Sequence, residues 1–113
     1  MLLSIVVPVY NEEENIANFY KAVTDVMSGL TYDYELIFVD DGSSDSSAMI
    51  LREIAFNDKH VKVLLLARNF GHQTALTCGL DYAHGDAVIT MDGDMQHPPA
   101  LSPELGRLWV SGY

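Results

Sequence analysis

The chain alternates short, mostly apolar segments with polar turns. The apolar segments cover residues 3–9, 35–39, 61–66 and 87–91, and a cluster of polar or charged side chains follows each one. Apolar segments of about four to eight residues are typical of strands that are buried on both faces of a parallel sheet. The pattern therefore predicts four buried strands.

Between these strands, apolar residues recur at the spacing of one helix face. Asn11 can cap the first helix, with Glu14 three positions further on, and glycines 29 and 85 are typical of helix ends. Ser43 and Asp45 are expected near the start of the second helix. A last helix is predicted over residues 102–110. The three apolar sets are Ile16, Phe19, Tyr20, Val23, Met27 and Leu30; Ala48, Leu51, Ile54 and Ala55; and Ala75, Leu76, Gly79, Leu80 and Ala83.

Strands that alternate with helices predict an α/β fold, a Rossmann-like doubly wound, mostly parallel sheet. Without repeats or linkers, residues 1–113 form one domain. Ligands of such sheets bind beyond the carboxyl ends of the strands, where the strand order reverses. The polar clusters at residues 10–12, 40–43, 68–72 and 92–94 all fall in that layer. We expect them to converge on one binding site.

The last cluster has the chemistry of a metal site. Asp92 and Asp94 stand on either side of Gly93, which lets the backbone come close to a ligand. Gln96 follows two positions later. Paired carboxylates and a neutral oxygen suit Mg²⁺ or Mn²⁺ together with substrate phosphates. A solvated turn is the alternative interpretation of an isolated pair of this kind.

The other clusters offer contacts to a nucleotide, although each residue also has a structural interpretation. Asp40 and Asp41 are turn formers and helix caps, or one of them accepts hydrogen bonds from a base or a ribose. Arg68 and the turn at Gly71 can bind an anion such as phosphate. In the first cluster, the candidates are Tyr10 for base stacking, Glu12 for a ribose hydroxyl and Pro8 for the strand exit.

Charge narrows the class of ligand. The chain has 16 acidic and 6 basic residues, a net charge of −10, and 49% hydrophobic residues. Such a chain repels nucleic acid and anionic lipid, so binding a diphosphate requires local compensation by a metal or by helix amino ends. The single cysteine, Cys78, excludes a disulfide framework and favours a reducing, cytoplasmic compartment. The histidines lack the spacing of zinc ligands.

Four motifs together resemble a known family. The match covers essentially the whole chain and indicates the family 2 inverting glycosyltransferases of GT-A fold, in particular the dolichol-phosphate mannose synthases and bactoprenol glucosyltransferases. Gly93 replaces an alanine that is frequent in that family. The motifs are Val7-Pro8-Val9-Tyr10-Asn11-Glu12, Val39-Asp40-Asp41-Gly42-Ser43-Ser44-Asp45, Arg68-Asn69-Phe70-Gly71 and Met91-Asp92-Gly93-Asp94-Met95-Gln96-His97-Pro98-Pro99.

The resemblance implies a role for most of these residues. Asp92 and Asp94 would be the catalytic pair and, with Gln96, would hold Mg²⁺ or Mn²⁺ against the diphosphate. Gly93 would contact the nucleotide. The nucleoside would be surrounded by Pro8, Tyr10, Glu12, Val39 and Asp41, with Asp40 adjacent.

By the same resemblance, the chain is expected to be the nucleotide-sugar-binding part of a longer enzyme at the cytoplasmic face of the membrane. The enzyme would transfer a hexose from a UDP- or GDP-sugar to a polyprenyl phosphate or glycan, with inversion. Membrane contact would come only from regions outside this chain, and exposed apolar surface could support a homodimer. The alternatives are a binding fragment without turnover and a receiver-type phosphoacceptor domain. The missing Gly-X-Gly-X-X-Gly motif argues against a dinucleotide-binding dehydrogenase.

Overall fold

The computed structural model describes residues 2–29 and 33–91. For His72 it describes the backbone only. Strands and helices alternate throughout these residues, as predicted. The predicted helix over residues 102–110 lies outside them. The elements are β1 (Leu2–Val9), α1 (Ile16–Ser28), β2 (Asp33–Asp40), α2 (Ser47–Asn57), β3 (Val61–Leu65), α3 (His72–Tyr82) and β4 (Ala87–Thr90).

The four strands form one sheet in the order β3-β2-β1-β4, and every neighbouring pair is parallel. β1 and β2 occupy the centre, and residues 3–9 and 35–40 are all buried. This central position explains their nearly continuous apolar sequence. The register places Val9 opposite Asp40, so that both central strands end at the same level.

The strand order defines the fold class. The order 3-2-1-4 is the start of the Rossmann order, whereas receiver domains have the order 2-1-3-4-5. The predicted doubly wound parallel sheet is confirmed, and the receiver alternative is wrong. The chain moves outward from β1 to β3 and returns to the other side of β1 with β4. The switch point, where ligands bind in such sheets, therefore lies between β1 and β4.

Helices cover both faces of the sheet. α1 and α2 pack on one face over a large apolar cluster, in which the rings of Phe19 and Phe38 meet edge to face at 6.3 Å. α3 covers the other face over a smaller cluster. α3 lies so close to β1 that a Cβ atom at Gly79 would collide with Val6. None of the helices in residues 2–29 and 33–91 is long and apolar enough to cross a membrane.

Helix α1 begins later than the sequence predicts. Its N-cap is Asn15, while Asn11 adopts the left-handed region with φ 52°. The prediction that Asn11 caps α1 is therefore wrong, because its side chain is used elsewhere: Oδ1 accepts the backbone N–H of Ser44. Gly29 caps the end of α1, as predicted, but α3 ends at Tyr82, before the expected Gly85.

Glu35 links the strands at the amino edge of the sheet, the end at which the parallel strands begin. Its carboxylate is 2% exposed and accepts hydrogen bonds from the Ser4 hydroxyl at 2.5 Å, Lys62 Nζ at 2.8 Å and the His84 backbone N–H at 2.7 Å. Ser4 Oγ in turn accepts the N–H of Gly85 at 2.8 Å. Burial alone would raise the pKa of Glu35, but these donors hold it below its ordinary value.

Candidate functional site at the carboxyl edge of the sheet

A cleft of about 190 Å³ opens at the carboxyl edge of β1 and β2. Three segments meet there: the first loop (residues 10–15), the second loop (residues 41–46) and the third loop (residues 66–71). The structure thus brings together three of the four polar clusters that were expected to converge. The fourth, residues 92–94, lies outside the described residues. The cleft is lined by Pro8, Val9, Tyr10, Asp41, Asn69 and Gly71.

The first and second loops are fastened to each other by hydrogen bonds between backbone and side chains. The N–H of Asn11 donates to Ser43 Oγ at 2.9 Å, and Asn11 Oδ1 accepts the N–H of Ser44 at 2.8 Å. The N–H of Glu12 donates to Ser47 Oγ at 3.0 Å. Because bonds run in both directions, the two loops form one side of the cleft as a unit.

Asp40 shapes the second loop itself. It ends β2, is 3% exposed, and accepts hydrogen bonds from the hydroxyl of Ser43 at 2.5 Å and from its N–H at 3.3 Å. The carbonyl of Asp40 accepts the N–H of Leu66 at 2.9 Å. The sequence left two roles open for Asp40, and these contacts match the role of turn former.

Asp41 connects the second loop to the third. Its carboxylate is buried, and it accepts the N–H of Phe70 at 2.8 Å and the N–H of Gly71 at 3.1 Å. The backbone N–H of Asp41 donates to the carbonyl of Val9 at 2.8 Å. The sequence predicted an anion-binding turn at Gly71. The anion that this turn binds in the structure is the carboxylate of Asp41.

Exposed aromatic and cationic side chains stand around the cleft. The guanidinium of Arg68 lies 4.8 Å from the centre of the Phe70 ring, a contact worth on the order of 1 kcal/mol at an exposed site. Tyr10 and Phe70 are each 46% exposed. Exposed rings of this kind can stack on a planar ligand, and Arg68 adds a positive charge to an acidic chain.

The remaining candidates come from β1, β2 and the first loop, and they have different surroundings. Pro8 is buried and lines it. Glu12 is half-buried, and its carboxylate accepts an N–H of the Asn15 side chain at 2.9 Å. Val39 has no exposed surface and packs in the cluster under α3. Its side chain therefore belongs to the core beneath the site.

The predicted metal ligands Asp92, Asp94 and Gln96, together with Gly93, lie outside the described residues. The strand that leads to them, β4, pairs with the central strand β1. The N–H of Met91, directly after β4, donates to the carbonyl of Val6 at 3.0 Å. Within residues 2–29 and 33–91, no group of three or more His, Cys, Asp or Glu side chains could hold a metal ion.

Two larger cavities in the described part of the chain lie away from the three loops. One of about 350 Å³ lies between α1 and α2, beside Tyr20 and Ile54. Another of about 320 Å³ lies at the amino edge, beside Glu35 and Lys62. Neither lies beyond the carboxyl ends of the strands, where ligands of this fold bind. Topology and not volume therefore identifies the candidate site.

Sequence reasoning missed two contributors to the cleft. Asn69 lines it, and Ser47 fixes the first loop through its hydroxyl. Asn69 lies inside the Arg-Asn-Phe-Gly motif, which was the available signal. Ser47 gave none, because a serine at the start of a helix is common.

Comparison with known proteins identifies the family. The sequence profile of glycosyl transferase family 2 matches residues 4–111, and the chain belongs to this family. An uncharacterized glycosyltransferase of Bacillus subtilis, YkcC, is 50% identical over 110 residues, which are 97% of this chain and 34% of that protein. The bactoprenol glucosyl transferase of Shigella phage SfV is 45% identical over 112 residues, 99% of this chain and 36% of that protein. The chain thus spans about a third of the length of these relatives.

Solved structures share the fold. A mannosyltransferase from Pyrobaculum calidifontis, in complex with GDP-Man and Mn²⁺, superimposes with a TM-score of 0.79 at 22% identity, over 96% of this chain and 32% of that one. Glucosyl-3-phosphoglycerate synthase from Mycobacterium tuberculosis, in complex with UDP, gives 0.74 at 28% identity, over 98% and 40%. The predicted GT-A architecture is confirmed.

Proposed function

We propose that the chain forms the sugar-nucleotide-binding part of an enzyme that transfers a hexose from a UDP- or GDP-sugar to a polyprenyl phosphate. The observation that carries the proposal is the cleft where three loops join beside β4, the strand that leads to Asp92 and Asp94. Support comes from a relative named for transfer to bactoprenol and from a structural neighbour that holds a nucleotide sugar and Mn²⁺.

Each part of the cleft has a role in this proposal. The ring of Tyr10 stacks on the base, and Glu12 accepts a ribose hydroxyl. The guanidinium of Arg68 contacts the diphosphate. The other cleft residues exclude water around the nucleoside. In so acidic a chain, Arg68 alone offsets little of the negative charge on a diphosphate. A bound divalent cation would offset the rest.

Asp92, Asp94 and Gln96 would hold Mg²⁺ or Mn²⁺, because two carboxylates and an amide oxygen suit a hard cation that keeps its remaining positions for phosphate and water. The bound metal would stabilise the negative charge that develops on the leaving diphosphate. The acceptor oxygen bonds to the anomeric carbon while the bond from that carbon to the diphosphate breaks, so the configuration inverts. A phosphate acceptor has a second pKa of about 6 and is ionised near neutral pH, so no general base is needed.

Thermal unfolding of the chain tests donor binding. UDP or GDP with Mn²⁺, at about ten times the dissociation constant, should raise the melting temperature by roughly 5 °C. Asp94→Asn should remove most of the shift that depends on the metal. Asp86→Asn is the matched control: Asp86 is exposed, accepts the N–H of Leu2 at 2.9 Å at the amino edge, and should leave the shift intact.

A folded sample that shows no shift with any nucleoside diphosphate, with or without metal, would contradict donor binding. A shift that Asp94→Asn leaves unchanged would contradict the metal site. The acceptor is tested in the full-length protein, by following labelled sugar into an organic-extractable polyprenyl phosphate product. Chelation of divalent metal should abolish that transfer, and Mn²⁺ should restore it.

A further inference from the structure

We propose that the outer face of α2 is an interface between two copies of this chain, which pair along a two-fold axis parallel to the helix. Four side chains form this outer face: Met49, Arg52, Glu53 and Phe56. The pairing goes beyond the proposed function and does not require a bound nucleotide, so either proposal can fail without the other.

The outer face of α2 leaves large apolar side chains in solvent. Phe56 is 90% exposed and Met49 64%, the two highest values among the large hydrophobic residues of 2–29 and 33–91. They stand two helical turns apart, so they lie in one line along the helix, on the side opposite the buried Leu51. Burying an aromatic ring removes about 150–250 Å² from water. An exposed apolar line of this kind is typical of a docking surface.

Two opposite charges flank this apolar line and determine the direction of pairing. Arg52 and Glu53, both exposed, project on opposite sides of the line, about 50° from it. In a parallel pair of helices, two-fold symmetry places Arg52 of each copy beside Glu53 of the other. In an antiparallel pair, the same symmetry would place arginine beside arginine and glutamate beside glutamate. The charges therefore select the parallel pair, in which the two Phe56 rings meet.

Parallel pairing also directs both clefts the same way. Helix α2 runs from the carboxyl edge of the sheet back to the amino edge, antiparallel to the strands it connects. A two-fold axis along α2 therefore leaves the carboxyl edges of both sheets at the same end of the dimer. The lipid acceptor of the proposed function favours this arrangement, since two clefts at one end can reach the same membrane.

The charges of the outer face favour a second copy over a lipid surface. Neighbouring helix residues do not face each other, so Arg52 and Glu53 find opposite charges across the two-fold axis and not within α2. The net charge of −10 repels anionic lipid. One face of an 11-residue helix, about 16 Å long, is smaller than the roughly 800 Å² per partner of a stable interface. We therefore expect a weak, reversible dimer.

Sedimentation equilibrium of the full chain at low salt, from about 10 µM to about 1 mM, measures this pairing. Phe56→Ser should weaken dimerisation by at least about tenfold, because the ring fills the centre of the contact. The variant should fold normally, since the ring is 90% exposed in the single chain. Tyr82→Ser is the matched control: it removes a 41% exposed ring from α3, on the other face of the sheet, and should leave dimerisation unchanged.

Charge exchange tests the direction of pairing. Arg52→Glu and Glu53→Arg should each weaken dimerisation about fivefold, because each change turns two attractions across the axis into two repulsions. The double variant restores opposite charges across the axis and should return to within about twofold of the wild type. Net charge alone predicts a different pattern, in which Glu53→Arg strengthens dimerisation because the chain becomes less acidic.

Several results would overturn the inference. A wild-type chain that stays monomeric at about 1 mM lacks the interface, and a dimer that Phe56→Ser leaves intact uses another surface. A dimer that neither single charge variant weakens is not a parallel pair. A monomer that binds phosphatidylcholine vesicles, and loses this binding with Phe56→Ser, would assign the outer face to a membrane. None of these outcomes affects donor binding, which the nucleotide-dependent melting temperature tests separately.

Discussion

At Gly42 the second loop lies directly against the backbone of the third loop. The φ of Gly42, 71°, lies in the left-handed region, and the space where a Cβ would stand is filled by the backbone of Arg68 and Asn69. A glycine meets both demands, because it lacks a side chain and enters this region at no steric cost. A larger residue must push the third loop away or change its own backbone.

Gly42→Ala should therefore lower the free energy of unfolding by about 1–3 kcal/mol and also weaken nucleotide binding. Urea unfolding and titration with UDP measure the two effects. Gly29→Ala is the control, because Gly29 has φ −89° at the end of α1 and the nearest atom to an added Cβ is 3.6 Å away. Equal free energies of unfolding for the two variants would show that the close contact at Gly42 does not contribute to stability.

At the scale of elements, Asp58 ties both helices of one face to the sheet. It follows α2, accepts the hydroxyl of Tyr20 from α1 at 2.6 Å, and accepts the N–H of His60 before β3 at 2.9 Å. His60 stacks on Tyr34 of β2 at 4.5 Å. Burial and the neighbouring Asp58 raise the pKa of Tyr20 to about 12, so its hydroxyl stays protonated at neutral pH.

The strands and helices were predictable where burial alone determines which positions are apolar. Residues 3–9 and the Phe19 face of α1 are buried on the predicted sides, and the strand and helix assignments followed from them. Polar segments were harder, because their side chains bind partners remote in sequence. Asn11 resembled a helix cap but binds the second loop, and β2 begins at Asp33, before its apolar run, through pairing with Leu2.

The same limit applies to the candidate site. That the polar clusters lie at the carboxyl edge follows from parallel strands, so three converging loops could be predicted. The hydrogen bonds from Phe70 and Gly71 to Asp41 could not, because they join positions 29 and 30 residues apart. No local pattern distinguishes an aspartate that binds a loop from one that binds a ligand.

Glu35, at the amino edge of the sheet, makes the free energy of unfolding depend on pH in a predictable direction. The pKa of Glu35 is lowered in the folded chain, so the unfolded chain takes up its proton first as the pH falls. The stabilisation from Glu35 is complete above its unfolded pKa of about 4.3 and is lost as the pH falls through the folded value. Glu35→Gln should cost about 2 kcal/mol near pH 7, and this gap should narrow as the pH falls below the unfolded pKa of about 4.3.

Urea unfolding at several pH values measures this gap. Glu53→Gln removes an exposed carboxylate from α2 and should stay within about 0.5 kcal/mol of the wild type throughout. A gap between wild type and Glu35→Gln that stays constant down to pH 3 would mean that the hydrogen bonds at the amino edge do not favour the charged form of Glu35.

At the scale of the whole molecule, a net charge of −10 on 113 residues produces self-repulsion that the fold offsets only locally. Lys62 lies 2.8 Å from the buried Glu35, and this pair is shielded from salt more than exposed charges are. Exposed acidic residues such as Glu14 and Asp25 interact mainly through solvent. The salt dependence of stability therefore shows whether attraction within ion pairs or repulsion among the exposed acidic residues is larger.

We expect repulsion to dominate, because the screening length falls from about 10 Å at 0.1 M salt to about 3 Å at 1 M, which weakens exposed interactions first. Raising NaCl from about 0.05 M to about 0.5 M should increase the free energy of unfolding by on the order of 1 kcal/mol. Asp25→Asn with Asp81→Asn, which removes two exposed carboxylates from the last turns of α1 and α3, should stabilise the chain at low salt, and the gain should shrink at high salt. A loss of stability with added NaCl would instead mean that attractive pairs such as Lys62 with Glu35 outweigh the excess of negative charge.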